Sequence, residues 1–209
     1  WDLEGNQYTD MSLMGVGTNI LGYGHPAVDE KVIEAIACGN MSTLNAPEEV
    51  LLAERLVSIH PWANMVRFAR SGGEANTIAV RIARAAAGRE GVAVCGYHGW
   101  HDWYMAANLS NVRELDGHLL PGLEPNGVPR QLADTIFPFN YNDFNALEKL
   151  VHDQNIGVIK MEVMRNIEPK ENFLQKVRDL ASRKGLVLIF DECTSGFRQN
   201  FGGLHKKFN

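Results

Sequence analysis

Between residues 65 and 192 short apolar runs alternate with stretches of helical period, and this alternation limits the chain to few architectures. Residues 65–69 read as a short strand, 73–88 as an Ala-rich helix and 91–97 as a strand. After a turn-rich stretch over 98–130, residues 135–139 read as a weak strand, which Pro138 confines to a sheet edge. A helix (143–154), a strand (157–163), a helix (171–184) and an apolar strand (185–192) complete the series. Strands separated by helices pair in parallel, with helices covering both faces. The expected fold class is therefore α/β, a three-layer αβα arrangement around a mostly parallel sheet.

The residues before this region lack that rhythm. Residues 1–14 alternate polar and apolar side chains around Gly5-Asn6, which predicts a hairpin, and the glycines of 15–26 predict loop. Helical spacing returns at 27–38 and 46–59. The second stretch has Asn45 as a cap, Pro47 in the first turn, and Glu48 and Glu49 near the positive helix end. The expected organisation is a hairpin and loop-rich segment over 1–45, then a large domain over 46–209.

A net charge of −5 without a long Lys/Arg run speaks against nucleic acid and anionic membrane surfaces as partners. No run approaches the roughly 20 apolar residues that span a bilayer. Cys38, Cys95 and Cys193 form no CxxC pair, as suits a reducing compartment, and a cytoplasmic location is expected. The chain opens at Trp1 and stops soon after Gly202-Gly203, so both ends read as cut and the large domain as partial.

Open parallel sheets bind ligands at the carboxyl ends of their strands, and four strand ends carry chemistry here. Ser71-Gly72-Gly73-Glu74 joins a strand to a helix; its glycines and free N–H groups suit a phosphate, although the spacing is not that of a P-loop. Tyr97-His98-Gly99-Trp100-His101-Asp102 offers an aromatic platform. A zinc reading of His98, His101 and Asp191 lacks the ligand spacing such sites show. Glu162 stands at the end of the strand read over 157–163, either solvated or paired with Arg165. Asp191 ends the apolar run Leu186-Val-Leu-Ile-Phe190, an expensive place for charge unless a cation faces it. A phosphate cradle, an aromatic platform and a buried carboxylate together suit a flat ligand, phosphorylated at one end and cationic at the other. Pyridoxal phosphate has that shape.

On these residues the chain resembles the class III pyridoxal-phosphate aminotransferases (fold type I), and within them the glutamate-1-semialdehyde 2,1-aminomutase branch. Gly22-Tyr-Gly-His-Pro26, Ser71-Gly-Gly-Glu-Ala75, Tyr97-His-Gly-Trp-His-Asp102 and Asp191-Glu-Cys-Thr-Ser-Gly-Phe-Arg198 follow the family's motifs in order. The resemblance implies that Ser71, Gly72 and Gly73 hold the cofactor phosphate. It places Tyr97 on one face of the ring, Cys193 on the other, and Asp191 at the ring nitrogen. Glu162 would lie near the phenolic oxygen, and His98 belongs to the same loop. Asp191, Glu162 and Tyr97 are the implied catalytic residues, and no metal is implied. Gly73 stands where the family has Thr or Ser. The family's Schiff-base Lys lies beyond Asn209, so these residues alone are expected to lack turnover. The implied activity is amino-group transfer on an amino acid, amino aldehyde or amino sugar, by a homodimer acting on a small-molecule donor and acceptor. A non-catalytic cofactor-binding or scaffold derivative of the same fold is the alternative.

Overall fold

A strand buried on both faces needs helices above and below it, and all five residues of Gly91–Cys95 are buried. The computed structural model describes all residues except 13, 16, 40, 42, 112, 119, 120 and 209. Its elements are α1 (Pro26–Cys38), α2 (Pro47–Ile59), α3 (Gly72–Ala87), β1 (Gly91–Cys95), α4 (Asp102–Met105), β2 (Ile136–Pro138), α5 (Phe144–Asp153), β3 (Ile156–Glu162), α6 (Phe173–Lys184) and β4 (Val187–Asp191). The four strands form one parallel sheet in the order β2-β1-β3-β4. As the edge position of Pro138 requires, β2 lies at one border.

Alternation along each strand divides the core in two. Ala93, Cys95, Ile159 and Met161 face one side, where Leu147 of α5 and Phe173, Val177 and Leu180 of α6 cover them. Val92, Val94 and Val158 face the other, under Val80 and Ala83 of α3 and Trp103 to Met105 of α4. The sheet is thus the middle layer of an αβα sandwich. The helix punctuation is local. Ser71 caps α3 by accepting the Glu74 N–H at 3.2 Å, and Gly88 closes it in the left-handed conformation. Asp143 caps α5 through the Ala146 N–H at 2.9 Å.

The chain divides into two compact units, Trp1–Val66 and Arg67–Asn209. α2 therefore belongs to the first unit, whereas composition placed it at the start of the second. In and beside the first unit the structure departs from expectation at three points. The hairpin predicted over 1–14 (residue 13 is outside the described residues) is a local turn. The Asp2 carboxylate accepts the N–H groups of Glu4 and Asn6, which removes the donors a ladder would use. Residues 65–69, predicted as a strand, form no strand among the described residues and straddle the boundary between the two units. The α2 cap is Ala46, with no side-chain bond, rather than Asn45; Pro47 in the first turn sets the start instead. Among the described residues no helix is long and apolar enough to cross a membrane.

Candidate functional site

The strand order reverses at β1: the chain steps from β1 to β2 on one side, then crosses to β3 and β4 on the other. Such a switch point opens a crevice beyond the carboxyl ends of the strands. Asp191 ends β4 there, in register with Glu162 at the end of β3. Both carboxylates face the α3 side, because they share strand parity with Val158 and with Val187 and Ile189.

Asp191 is buried and fully engaged on one oxygen. Its Oδ2 accepts from Asn76 Nδ2 at 2.8 Å, faces His98 Nδ1 at 2.9 Å, and lies 3.6 Å from Lys160 Nζ. Oδ1 accepts the Cys193 N–H at 2.9 Å and keeps a second lone pair. Burial works against ionisation, but the His98 bond and the Lys160 ammonium outweigh it and hold the carboxyl well below the ordinary range.

Glu162 is shaped by its neighbours. It accepts the Tyr97 N–H and is clamped by Arg165, with Nη2 to Oε1 at 2.6 Å and Nε to Oε2 at 3.0 Å. Burial raises its pKa, against the Arg165 charge. Gly96, between β1 and Tyr97, has φ +104°, and a Cβ there would stand 3.0 Å from the Glu162 side chain. The Gly96 N–H donates to His118 Nδ1 at 3.0 Å, so this nitrogen carries the ring's lone pair. A cavity of about 210 Å³ opens against this group, lined also by Asn140, Tyr141 and Asn166.

The N-terminus of α3 meets the same crevice. A Cβ on Gly72 would lie 3.2 Å from Cys193 Sγ, and one on Gly73 would lie 2.9 Å from His101 Nε2. The His101 ring is held by Thr77 Oγ1 at 2.9 Å, and Trp103 Nε1 donates to the same hydroxyl at 3.1 Å. His101 therefore occupies the room that a Thr or Ser side chain at 73 would need. Ser71 takes the Glu74 and Ala75 N–H groups through its hydroxyl and carbonyl, leaving those of Gly72 and Gly73 at the helix mouth. N–H groups placed in this way at a helix N-terminus suit an anion.

The structure thus brings Ser71, Gly72, Gly73, Tyr97, His98, Glu162, Asp191 and Cys193 to neighbouring strand ends. It separates the two histidines of the loop: His98 turns to Asp191 and His101 to Thr77. Among the described residues no group of three or more His, Cys, Asp or Glu side chains is arranged to hold a metal. Glu192, adjacent to Asp191, turns away and clamps the following turn by accepting the His205 N–H at 3.0 Å and the Ser195 hydroxyl at 3.0 Å. Sequence reading missed Asn76, His118 and the role of Lys160. A Lys inside an otherwise apolar strand was the available signal.

The family described as Aminotransferase class-III matches residues 1–203. The 3-aminobutyryl-CoA aminotransferase of Cloacimonas acidaminovorans is 33% identical over 99% of this chain and 48% of its own length. The glutamate-1-semialdehyde 2,1-aminomutase of Sulfolobus acidocaldarius is 36% identical over 94% of this chain and 47% of its own. A transaminase solved with PLP bound superposes with a TM-score of 0.80 at 28% identity, covering 94% of this chain and 47% of that one. The chain spans about half the length of the curated relatives it matches.

Proposed function

From the premise that this chain belongs to the class-III aminotransferases, we propose that it forms the cofactor-binding part of a pyridoxal-phosphate enzyme that moves an amino group. The observation that carries this reading is Asp191: an ionised, buried carboxylate with one lone pair of Oδ1 unassigned, in the same crevice as an anion cradle. The residues fit the cofactor. The Gly72 and Gly73 N–H groups and the positive end of α3 would hold its phosphate, beside Ser71. Asp191 would accept the ring N–H, with Tyr97 on one ring face and the exposed Cys193 on the other. When bound, pyridoxal phosphate supplies a cationic ring that draws electrons from the amine-bearing carbon of the substrate.

The chain's own residues bind and orient. Asp191 keeps a proton on the ring nitrogen by stabilising its charge, and His98 and Asn76 hold that carboxylate in place. Glu162, fixed by Arg165 and the Tyr97 N–H, presents a carboxylate to the cavity where a small amino donor or acceptor enters. Among the lysines, Lys160 lies against Asp191, and Lys206 and Lys207 belong to the 3-10 turn Leu204–Lys207. None of these three stands as a Schiff-base amine, and on this proposal the chain binds the cofactor without turnover.

The substrate is an amino acid, amino aldehyde or amino sugar, and the relatives include both an aminotransferase and an aminomutase. A homodimer belongs to the same proposal, since α1 and α2 bury no residue and leave Val32, Ile36, Leu51 and Leu52 exposed; a cytoplasmic location is proposed with it. Titration of the chain with pyridoxal phosphate, followed by absorbance and then by borohydride and mass spectrometry, tests the reading. The expected result is reversible binding, no covalent adduct, and at least tenfold weaker affinity in Asp191→Asn. Absence of binding, or equal affinity in the variant, overturns the cofactor site; a covalent adduct overturns the assignment of the lysines.

A further inference from the structure

Lys160 sits in the middle of β3, paired to Val94 of β1 and Ile189 of β4, with no exposed surface. Burial pushes the Lys160 pKa down against the pull of Asp191, so an ammonium in such a place is costly and depends on its partners. Its partners are two: Asn76 Oδ1 at 2.7 Å and Asp191 Oδ2 at 3.6 Å. Asn76 in turn donates to Asp191 Oδ2 at 2.8 Å and to the His98 carbonyl at 3.2 Å. One amide of α3 therefore ties the Lys160 amine, the Asp191 carboxylate and the loop after β1 into a single buried cluster.

His98 completes it with an unusual constraint. Both ring nitrogens face acceptors: Nδ1 lies 2.9 Å from Asp191 Oδ2, and Nε2 lies 3.1 Å from the Cys95 carbonyl. A neutral imidazole has one N–H, so protonating both nitrogens would satisfy both contacts. That second proton would put two buried cations on one carboxylate oxygen. Burial, together with the Lys160 ammonium, brings His98 down to about 4 against the pull of Asp191.

We propose that Lys160 is a positioning residue: its buried ammonium is the standing counter-charge of Asp191, which keeps His98 neutral, fills Oδ2, and leaves Oδ1 as the face offered to a protonated ring nitrogen. The last clause rests on the cofactor reading above; the rest concerns the ligand-free protein. Lys160 is not placed for a Schiff base, because an amine at this carboxylate lies at the ring-nitrogen end, and the aldehyde carbon of pyridoxal phosphate is para to that nitrogen. The charged and titratable groups facing the cluster are His98 from the loop after β1, Tyr104 of α4 against the His98 ring, Glu162 from β3, and Asp191 and Cys193 from β4 and its loop; α3 contributes only the neutral Asn76.

The test is long-range ¹H–¹⁵N NMR of the histidine rings in the ligand-free chain, across pH. In the unaltered protein His98 is expected as a single neutral tautomer at pH 7. In Lys160→Met its midpoint is expected to rise by at least one pH unit, and Lys160→Arg to restore the neutral ring. A doubly protonated His98 in the unaltered protein overturns the proposal without any variant. An unchanged midpoint in Lys160→Met that retains a dispersed amide spectrum also overturns it. A parallel pyridoxal-phosphate titration separates the two readings. If the cofactor fails to bind while Lys160→Met still moves His98, the cofactor reading falls and the counter-charge role stands.

Discussion

Asp191 is one carboxylate with two separate tasks, because its oxygens see different surroundings. Oδ2 is bound into the buried cluster, and among the described residues Oδ1 meets only the Cys193 N–H. The cluster has a consequence for pH. His98 binds a proton near pH 6.5 when unfolded but only near 4 when folded, so the unfolded state holds more protons between those values. Stability must then fall as pH drops through that window, by roughly 3 kcal/mol at most. Denaturant midpoints from pH 7 to pH 4 should show this loss, and His98→Gln should flatten the slope whatever its own cost at pH 7. An equal slope in both proteins would count against a neutral, buried His98. Gly73 makes a second residue-scale prediction. A Ser there places Cβ 2.9 Å from His101 Nε2, a ring held by Thr77. Gly73→Ser should cost about 1 kcal/mol. His101→Ala should relieve most of it, which a double-mutant cycle of urea midpoints reads directly.

Elements matter through their ends. α3 starts at Ser71 because that hydroxyl accepts an otherwise orphaned N–H, and the same start opens the Gly72–Gly73 cradle. Ser71→Ala should lower stability by about 1 kcal/mol without cofactor present, and should weaken pyridoxal-phosphate binding by more than stability alone explains. Unchanged affinity would separate the cap from the cradle. The start of α3, like the strands β1 to β4, was legible in the sequence, since burial on two faces and capping both leave local patterns. Residues 65–69 carry the same alternation as a strand but find no partner strand among the described residues, and period alone does not reveal a partner. The hairpin over 1–14 failed because the Asp2 side chain captured the amides that the pattern assigned to a ladder. The site was half legible for the same reason. Asp191, Glu162 and Tyr97 stand at strand ends, where α/β folds place chemistry. The bonds joining Asn76 to Lys160 and to Asp191 span 84 and 115 positions, and exist only once α3 folds over β3.

For the whole molecule, the unequal burial of the two units decides what to test. The unit Arg67–Asn209 encloses both core clusters, on either face of the sheet. In the unit Trp1–Val66, α1 and α2 are 13-residue helices with no buried residue, and helices of that length are marginal in water without packing. Val28, Val32, Ile33 and Ile36 on α1 and Val50, Leu51 and Leu52 on α2 are exposed apolar side chains, whose hydration is unfavourable. A second copy of the chain would remove that surface from water, as the proposed homodimer requires. Light scattering should then give twice the chain mass at high concentration. Hydrogen exchange should show amide protection in α1 and α2 that rises with concentration, while β1, β3 and β4 stay protected throughout. The coupling is the decisive part. If the mass doubles but α1 and α2 exchange at the same rate at every concentration, the contact lies elsewhere on the molecule. If the mass never doubles, the dimer proposal fails and leaves the Asp191 site untouched, because every residue of that site belongs to the unit that carries its own core.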